Sequence, residues 1–220
     1  NGIDLRSGRE EYGARASIMH TTKSGLFTFT ANVAPRIIYR DNADWSVFKD
    51  AIEANPTTPM MDPENPARYY NFMGQVVGSN PVERQKLEKD HADTKLLDWD
   101  ATVKLNLLPL LAKEGKSNHR LTTQLMFADH QYSNNNTWFR PSTSTIAINN
   151  GREGEASRSY SKERQQIMEW LTNYSGSFGQ HNVKVMAGYS YQYSNYSGFD
   201  AYNKDFPNDG LGADNLGSGE

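Results

Sequence analysis

Between Ile167 and Tyr193 apolar and polar residues alternate almost without a break, and only an extended hairpin satisfies that pattern. On the way in, Met168, Trp170, Thr172 and Tyr174 alternate with Ile167, Glu169, Asn173 and Ser175. Phe178-Gly179-Gln180-His181 makes a compact turn. On the way out, Val183, Val185, Ala187, Tyr189, Tyr191 and Tyr193 alternate with Lys184, Gly188, Ser190, Gln192 and Ser194. Successive side chains of a strand point to opposite faces, so each strand gains one apolar face and one polar face. The apolar face of the outgoing strand passes from aliphatic Val183 and Val185 to three tyrosines.

The same period recurs upstream. Tyr12, Ala14, Ala16 and Ile18 alternate with polar or small residues, and Phe27, Phe29, Ala31 and Val33 follow a short Thr21–Gly25 turn. Leu97, Trp99, Ala101, Val103, Leu105 and Leu107 form the cleanest run, and Leu121, Thr123, Leu125 and Phe127 return from a turn at Pro109–Asn118. The run from Leu97 is about twice the usual globular strand length. It matches the roughly 9–11 residues that cross a bilayer at a tilt.

Three longer excursions separate these strands. Arg36–Lys95 carries two helix signals. In the first, Asn42 or Asp44 serves as N-cap, Trp45, Phe48 and Ile52 share a face, and Asn55-Pro56 is the stop. In the second, Asn80-Pro81-Val82-Glu83 opens a helix with proline at its first position. Asp129–Ser161 is a polar excursion containing Asn134, Asn135, Asn136, Trp138, Phe139 and Pro141. The last begins at Asn195. The expected fold is therefore all-β, an antiparallel up-and-down meander of about six long strands, a segment of a transmembrane β-barrel, with long loops containing short helices. Connections alternate short and long, so all short turns fall at one end of the sheet. Outer-membrane barrels share that asymmetry. Tyr12, Trp99, Phe127, Tyr189, Tyr191 and Tyr193 fall toward the long-loop end, as an interfacial girdle would.

A soluble β-sandwich uses the same alternation, with a second sheet where the barrel has lipid. A mean hydropathy of -0.78 and 36% hydrophobic residues suit either, because alternation halves the apolar content of every strand. No window approaches the roughly 18 apolar residues of a membrane helix. The charge of -3 shows no basic stripe, so nucleic acid is not an expected partner. Cysteine is absent, so neither a disulfide nor a thiolate site can form. No signal peptide is expected, and Asn1-Gly2-Ile3-Asp4 and the Gly-rich run to Glu220 read as interior stretches of a larger protein. Residues 1–220 read as one unit.

No catalytic constellation is legible. His20, His91, His119, His130 and His181 are scattered. Asp205–Gly210 has the look of a calcium loop, but Pro207 occupies the third ligand place and Leu216 stands where the bidentate glutamate belongs. No cofactor or metal is expected. Trp138 and Phe139, with Asn135 and Asn136 beside them, are the candidate ligand-binding residues. Aromatic platforms flanked by amides suit sugars or peptides, and loop packing is the competing explanation. Asp98, Asp100, Lys104, Arg15 and Glu169 are expected to face a water-filled lumen, solvated or paired across strands.

A family resemblance covers nearly the whole chain. Asn173-Tyr174-Ser175, Phe178-Gly179-Gln180-His181-Asn182-Val183, Ala187-Gly188-Tyr189-Ser190-Tyr191-Gln192, Phe206-Pro207-Asn208-Asp209 and Asn215-Leu216-Gly217-Ser218-Gly219 resemble the barrel region of SusC/RagA-type TonB-dependent outer-membrane transporters of Bacteroidetes. Asn32-Val33-Ala34-Pro35-Arg36, Asn55-Pro56-Thr57, Asn80-Pro81-Val82-Glu83, Pro141-Ser142-Thr143 and Ala156-Ser157-Arg158 agree in order. The resemblance implies a nutrient importer of glycans or peptides in the outer membrane. It implies a SusD-like surface lipoprotein as partner, outer-membrane lipid around the wall, and energy from the TonB complex through regions not recognisable here, the plug and TonB box among them. This chain would supply wall and outer loops and would not be an enzyme. The alternative is a soluble carbohydrate-binding β-sandwich module with Trp138 and Phe139 as its platform. An adhesive surface protein would need repeats, and only a short Asn-Tyr-Ser-Gly echo at Asn173 and Asn195 is present.

Overall fold

The computed structural model describes residues 7–42, 44–108 and 118–220. They form one antiparallel sheet of seven strands. In chain order these are β1 (Gly8–Gly13), β2 (Ala16–Thr21), β3 (Phe27–Asp41), β4 (Lys89–Asn106), β5 (His119–Arg140), β6 (Glu155–Phe178) and β7 (His181–Lys204). From β3 to β7 every strand pairs with its sequence neighbour, so the meander is as the alternation predicts. Among the described residues the outer strands β1/β2 and β7 do not pair with each other, and the sheet is open.

β1 and β2 are one strand with a local break. Both keep a single register along β3, from Gly8 opposite Asp41 to Thr21 opposite Thr28. The gap at Ala14 lies opposite Pro35. The Ala14 N–H donates to the Pro35 carbonyl at 3.1 Å, but proline has no N–H to return the bond. The missing donor falls on the ladder to this outer strand, where a sheet tolerates proline.

The strands run much further than the alternation indicates. The excursions expected at Arg36–Lys95, Asp129–Ser161 and from Asn195 are in large part strand: residues 36–41, 89–95, 129–140, 155–161 and 195–204 all lie in the ladder. β6 and β7 each have 24 residues, about 80 Å at roughly 3.3 Å per residue. The extensions carry polar residues on both faces. Main-chain hydrogen bonds to a paired neighbour hold them, together with separate buried contacts at Ile38, Ala92, Phe139 and Ala156 rather than an alternating apolar stripe. The two-residue connection Gly179-Gln180 joins β6 to β7, with Gly179 at φ +62. Glycine at the first position of a two-residue hairpin loop meets that φ without a Cβ clash. The turn read at Pro109–Asn118 lies almost wholly outside the described residues.

Both predicted helices form. α1 (Trp45–Glu53) takes Asp44 as its cap, whose carboxylate accepts from the Ser46 N–H. α2 (Pro81–Leu87) takes Asn80, whose carbonyl accepts from the Val82 and Glu83 N–H groups. A third, α3 (Thr145–Asn149), lies between β5 and β6. The α1 face is not the one expected. Trp45, Phe48 and Ile52 are exposed, and Val47 is the buried residue.

The dry interior sits at the long-loop end, not along the sheet. Val47, Phe72, Val77 and Ala147 are buried among the loops, and Phe139, Ala156 and Phe206 form a cluster backed by Ala213 and Leu216. The alternating faces of the strands are not covered by a second sheet among the described residues: Leu125 is 48% exposed and Val185 55%. The described residues thus form one sheet and not two.

Candidate functional site: a two-faced wall and its rim

The register sorts every strand residue onto one of two faces. One row across β3 to β7 reads Ala31, Ala101, Phe127, Met168, Tyr191, and the next row toward the short turns reads Phe29, Val103, Leu125, Trp170, Tyr189. A further row reads Phe27, Leu105, Thr123, Thr172, Ala187. Polar members are satisfied within the face: the Trp170 indole donates to Thr123 Oγ1 at 2.8 Å, and Thr123 meets Thr172 at 2.9 Å. Trp99 packs on Phe127 with ring centroids 5.3 Å apart. From Trp99 to Leu107, which bonds to Leu121 in the last row before the short turns, the band is about 27 Å along the strand, the scale of the apolar belt on a membrane barrel.

Toward the long loops the same face turns polar within two rows. Val33, Trp99, Asp129, Gln166 and Tyr193 are followed by Pro35, Leu97, Gln131, Arg164 and Asn195, then by Ile37, Lys95, Ser133, Lys162 and Ser197. Asp129 is buried, accepting from Arg164 Nε at 2.9 Å and from Gln166 at 3.2 Å. Further out, both ring nitrogens of His91 face carboxylates, Asp41 at 2.8 Å and Asp93 at 2.9 Å. The Asp41 hydrogen bond foremost, with Asp93 beside it, raises the His91 pKa above its ordinary value despite partial burial.

The opposite face is predominantly polar along its whole length. Asp98, Asp100, Lys104 and Glu169 share it, as expected. Asp98 pairs with His130 on β5, and Asn32 donates to Asp100 at 2.8 Å. Lys104, Arg120 and Lys184 gather at its short-turn end around a shallow hollow with Thr122, Asn173 and Ser175.

At the long-loop end, loop segments pack on both faces. Residues 42–88 turn toward the polar face: Asn42 donates to Asp90 at 2.7 Å and to Asn136 at 3.2 Å. Arg140 binds Glu88 through Nε at 2.8 Å and Glu155 through Nη1 at 2.7 Å, and the Tyr202 hydroxyl donates to Glu155 at 2.8 Å. Arg84 bridges Asp44 and Asp50 across α1 and α2. On the other face, residues 205–220 fold back over β5. Gly212 lies against the Phe139 ring, and the Asn203 amide donates to the Leu216 carbonyl at 2.8 Å. Asp209 accepts from the Ser142 N–H and hydroxyl, and Asp205 accepts from the Glu153 N–H. The carboxylates of Asp205 and Asp209 thus pin neighbouring loops.

The four candidate ligand residues lie in β5, not in a loop, and the strand divides them. Trp138 and Asn136 are on the polar face, while Phe139 and Asn135 are on the band face. Phe139 is buried in the rim cluster. Arg158 donates to Asn135 at 3.1 Å, and the Arg140 guanidinium lies 4.9 Å from the Trp138 ring centre. Phe139 and Trp138 therefore do not form one platform. The ion network around Arg140 and Arg84 gives no signal in the sequence, because its partners lie in separate elements and follow no local spacing.

The fold and its surfaces thus define an open all-β wall with one apolar band, one polar face and a loop rim. No protein-family model matches the chain, and no curated protein matches it significantly.

Proposed function

We propose that this chain is part of the wall and outer loops of a transmembrane β-barrel of the SusC/RagA importer type, non-enzymatic in itself. The observation that carries the reading is the band: an apolar face about 27 Å long, bordered by Trp99, Phe127, Tyr191 and Tyr193 and giving way to polar residues on β4 to β7. Such a face left in water is a large exposed apolar patch, which soluble monomers avoid. Lipid removes that penalty. The unpaired β1/β2 and β7 edges support the same reading, because neighbouring barrel strands would satisfy them. The polar face then lines a lumen, and the knitted loops form the outer mouth.

The ordered motifs point to uptake of glycans or peptides, driven through the TonB complex. A SusD-like lipoprotein would dock on the rim, where Trp45, Phe48 and Ile52 of α1 stand exposed. Trp138, on the polar face beneath the loops, is the aromatic best placed to meet a sugar or peptide in transit. An epitope placed within residues 141–154 tests the reading in cells. It should fractionate with the outer membrane and be labelled by antibody on intact cells. Recovery in a soluble fraction would refute it.

A further inference from the structure

We propose that Lys95 and Lys162, with Ser133 between them, bind the phosphate of an anionic lipid headgroup at the outer border of the apolar band; this rests on the reading of that band as a lipid face. Lys95, Ser133 and Lys162 stand in one ladder row on the band face, on adjacent strands β4, β5 and β6. The lysines are about 10 Å apart at the backbone, within reach of one phosphate for two long flexible ammonium side chains, with the Ser133 hydroxyl as a third donor. Both lysines are exposed, and neither is ion-paired among the described residues. The nearby carboxylates on this face have partners of their own: Asp129 is held by Arg164 and Gln166, and Asp93 shares His91 with Asp41. Positive charge is therefore left over two rows beyond Trp99, at the level where headgroups meet an interfacial aromatic border. Charge complementarity selects a phosphate-bearing headgroup over a neutral one. A free anion would lack the apolar band directly below, which holds acyl chains against the same wall.

Binding of the chain to phosphatidylcholine vesicles with and without one-third phosphatidylglycerol tests this. The wild type should prefer the anionic vesicles, and Lys95→Gln/Lys162→Gln should lose that preference by about fivefold per lysine. Lys104→Gln/Lys184→Gln removes equal charge from the opposite face and should leave the preference intact. An equal loss in both double variants, or no loss in the first, overturns the headgroup site. Release by inorganic phosphate at constant ionic strength would assign the site to a free anion and also overturn it. Binding to both vesicle types without preference defeats this proposal while the lipid-face reading stands. Failure to bind either type defeats both.

Discussion

The buried carboxyl of Glu83, at the start of α2, accepts from both the backbone N–H and the hydroxyl of Thr145, the first residue of α3. One side chain thus ties residues 42–88 to residues 141–154. Asn71 and Asn149 reinforce the tie with reciprocal amide bonds of 2.7 and 2.9 Å. Glu83→Ala leaves two buried donors without an acceptor, a loss of about 2–6 kcal/mol at roughly 1–3 for each unsatisfied group. Limited proteolysis should show faster cleavage in both loops, while the strand ladder stays protected.

Phe139 holds residues 205–220 against the sheet. Phe139→Ala removes a buried aromatic from the cluster with Ala156 and Phe206, and such truncations lose about 3–5 kcal/mol. Hydrogen exchange in the segment from Phe206 to Leu216 should accelerate. Trp138→Ala, one residue away but on the other face, should leave that exchange unchanged.

His91 gives the rim a pH dependence. Its folded pKa lies above the ordinary 6.5, through Asp41 first and Asp93 second. A raised folded value means the stabilisation is fully present below pH 6.5 and fades as pH rises through the folded pKa. An NMR titration of His91 should give a midpoint above 6.5, and Asp41→Asn should bring it down. A midpoint at or below 6.5 in the wild type would contradict the geometry.

Leu125 and Gln124 are chain neighbours on opposite faces of β5. Arginine on the lipid face of a membrane strand is destabilising by about 2–4 kcal/mol near mid-bilayer. Leu125→Arg should therefore lower the yield of bilayer-inserted protein sharply, and Gln124→Arg should be tolerated. Equal tolerance would place both faces in water.

How far the fold was readable depended on contrast between faces. Where apolar and polar residues alternate, as from Leu97 to Leu107 and Val183 to Tyr193, the strands lie where the pattern puts them. Beyond Phe127 the pattern fades, because Gln131, Ser133 and Asn135 on one face oppose His130, Tyr132 and Asn134 on the other. No buried stripe marks such a strand; only pairing with β4 and β6 does, and pairing is not local. The helix caps were legible because Asp44 and Asn80 act within three residues. Val47 rather than Trp45 became the buried anchor of α1 through packing among loops far apart in sequence. Trp138 and Phe139 were visible as aromatics, but their separation onto two faces needed the β5 register.

Whether the odd-numbered face of β7 meets lipid can be measured residue by residue. The chain has no cysteine, so single cysteines can be placed from Val183 to Tyr193 without background and spin-labelled in the membrane-inserted protein. Oxygen accessibility should peak at positions 183, 185, 187, 189, 191 and 193, while a water-soluble nickel reagent should reach the even positions between them. Equal nickel accessibility at odd and even positions would mean that no bilayer covers the band, and the wall would not be a membrane wall.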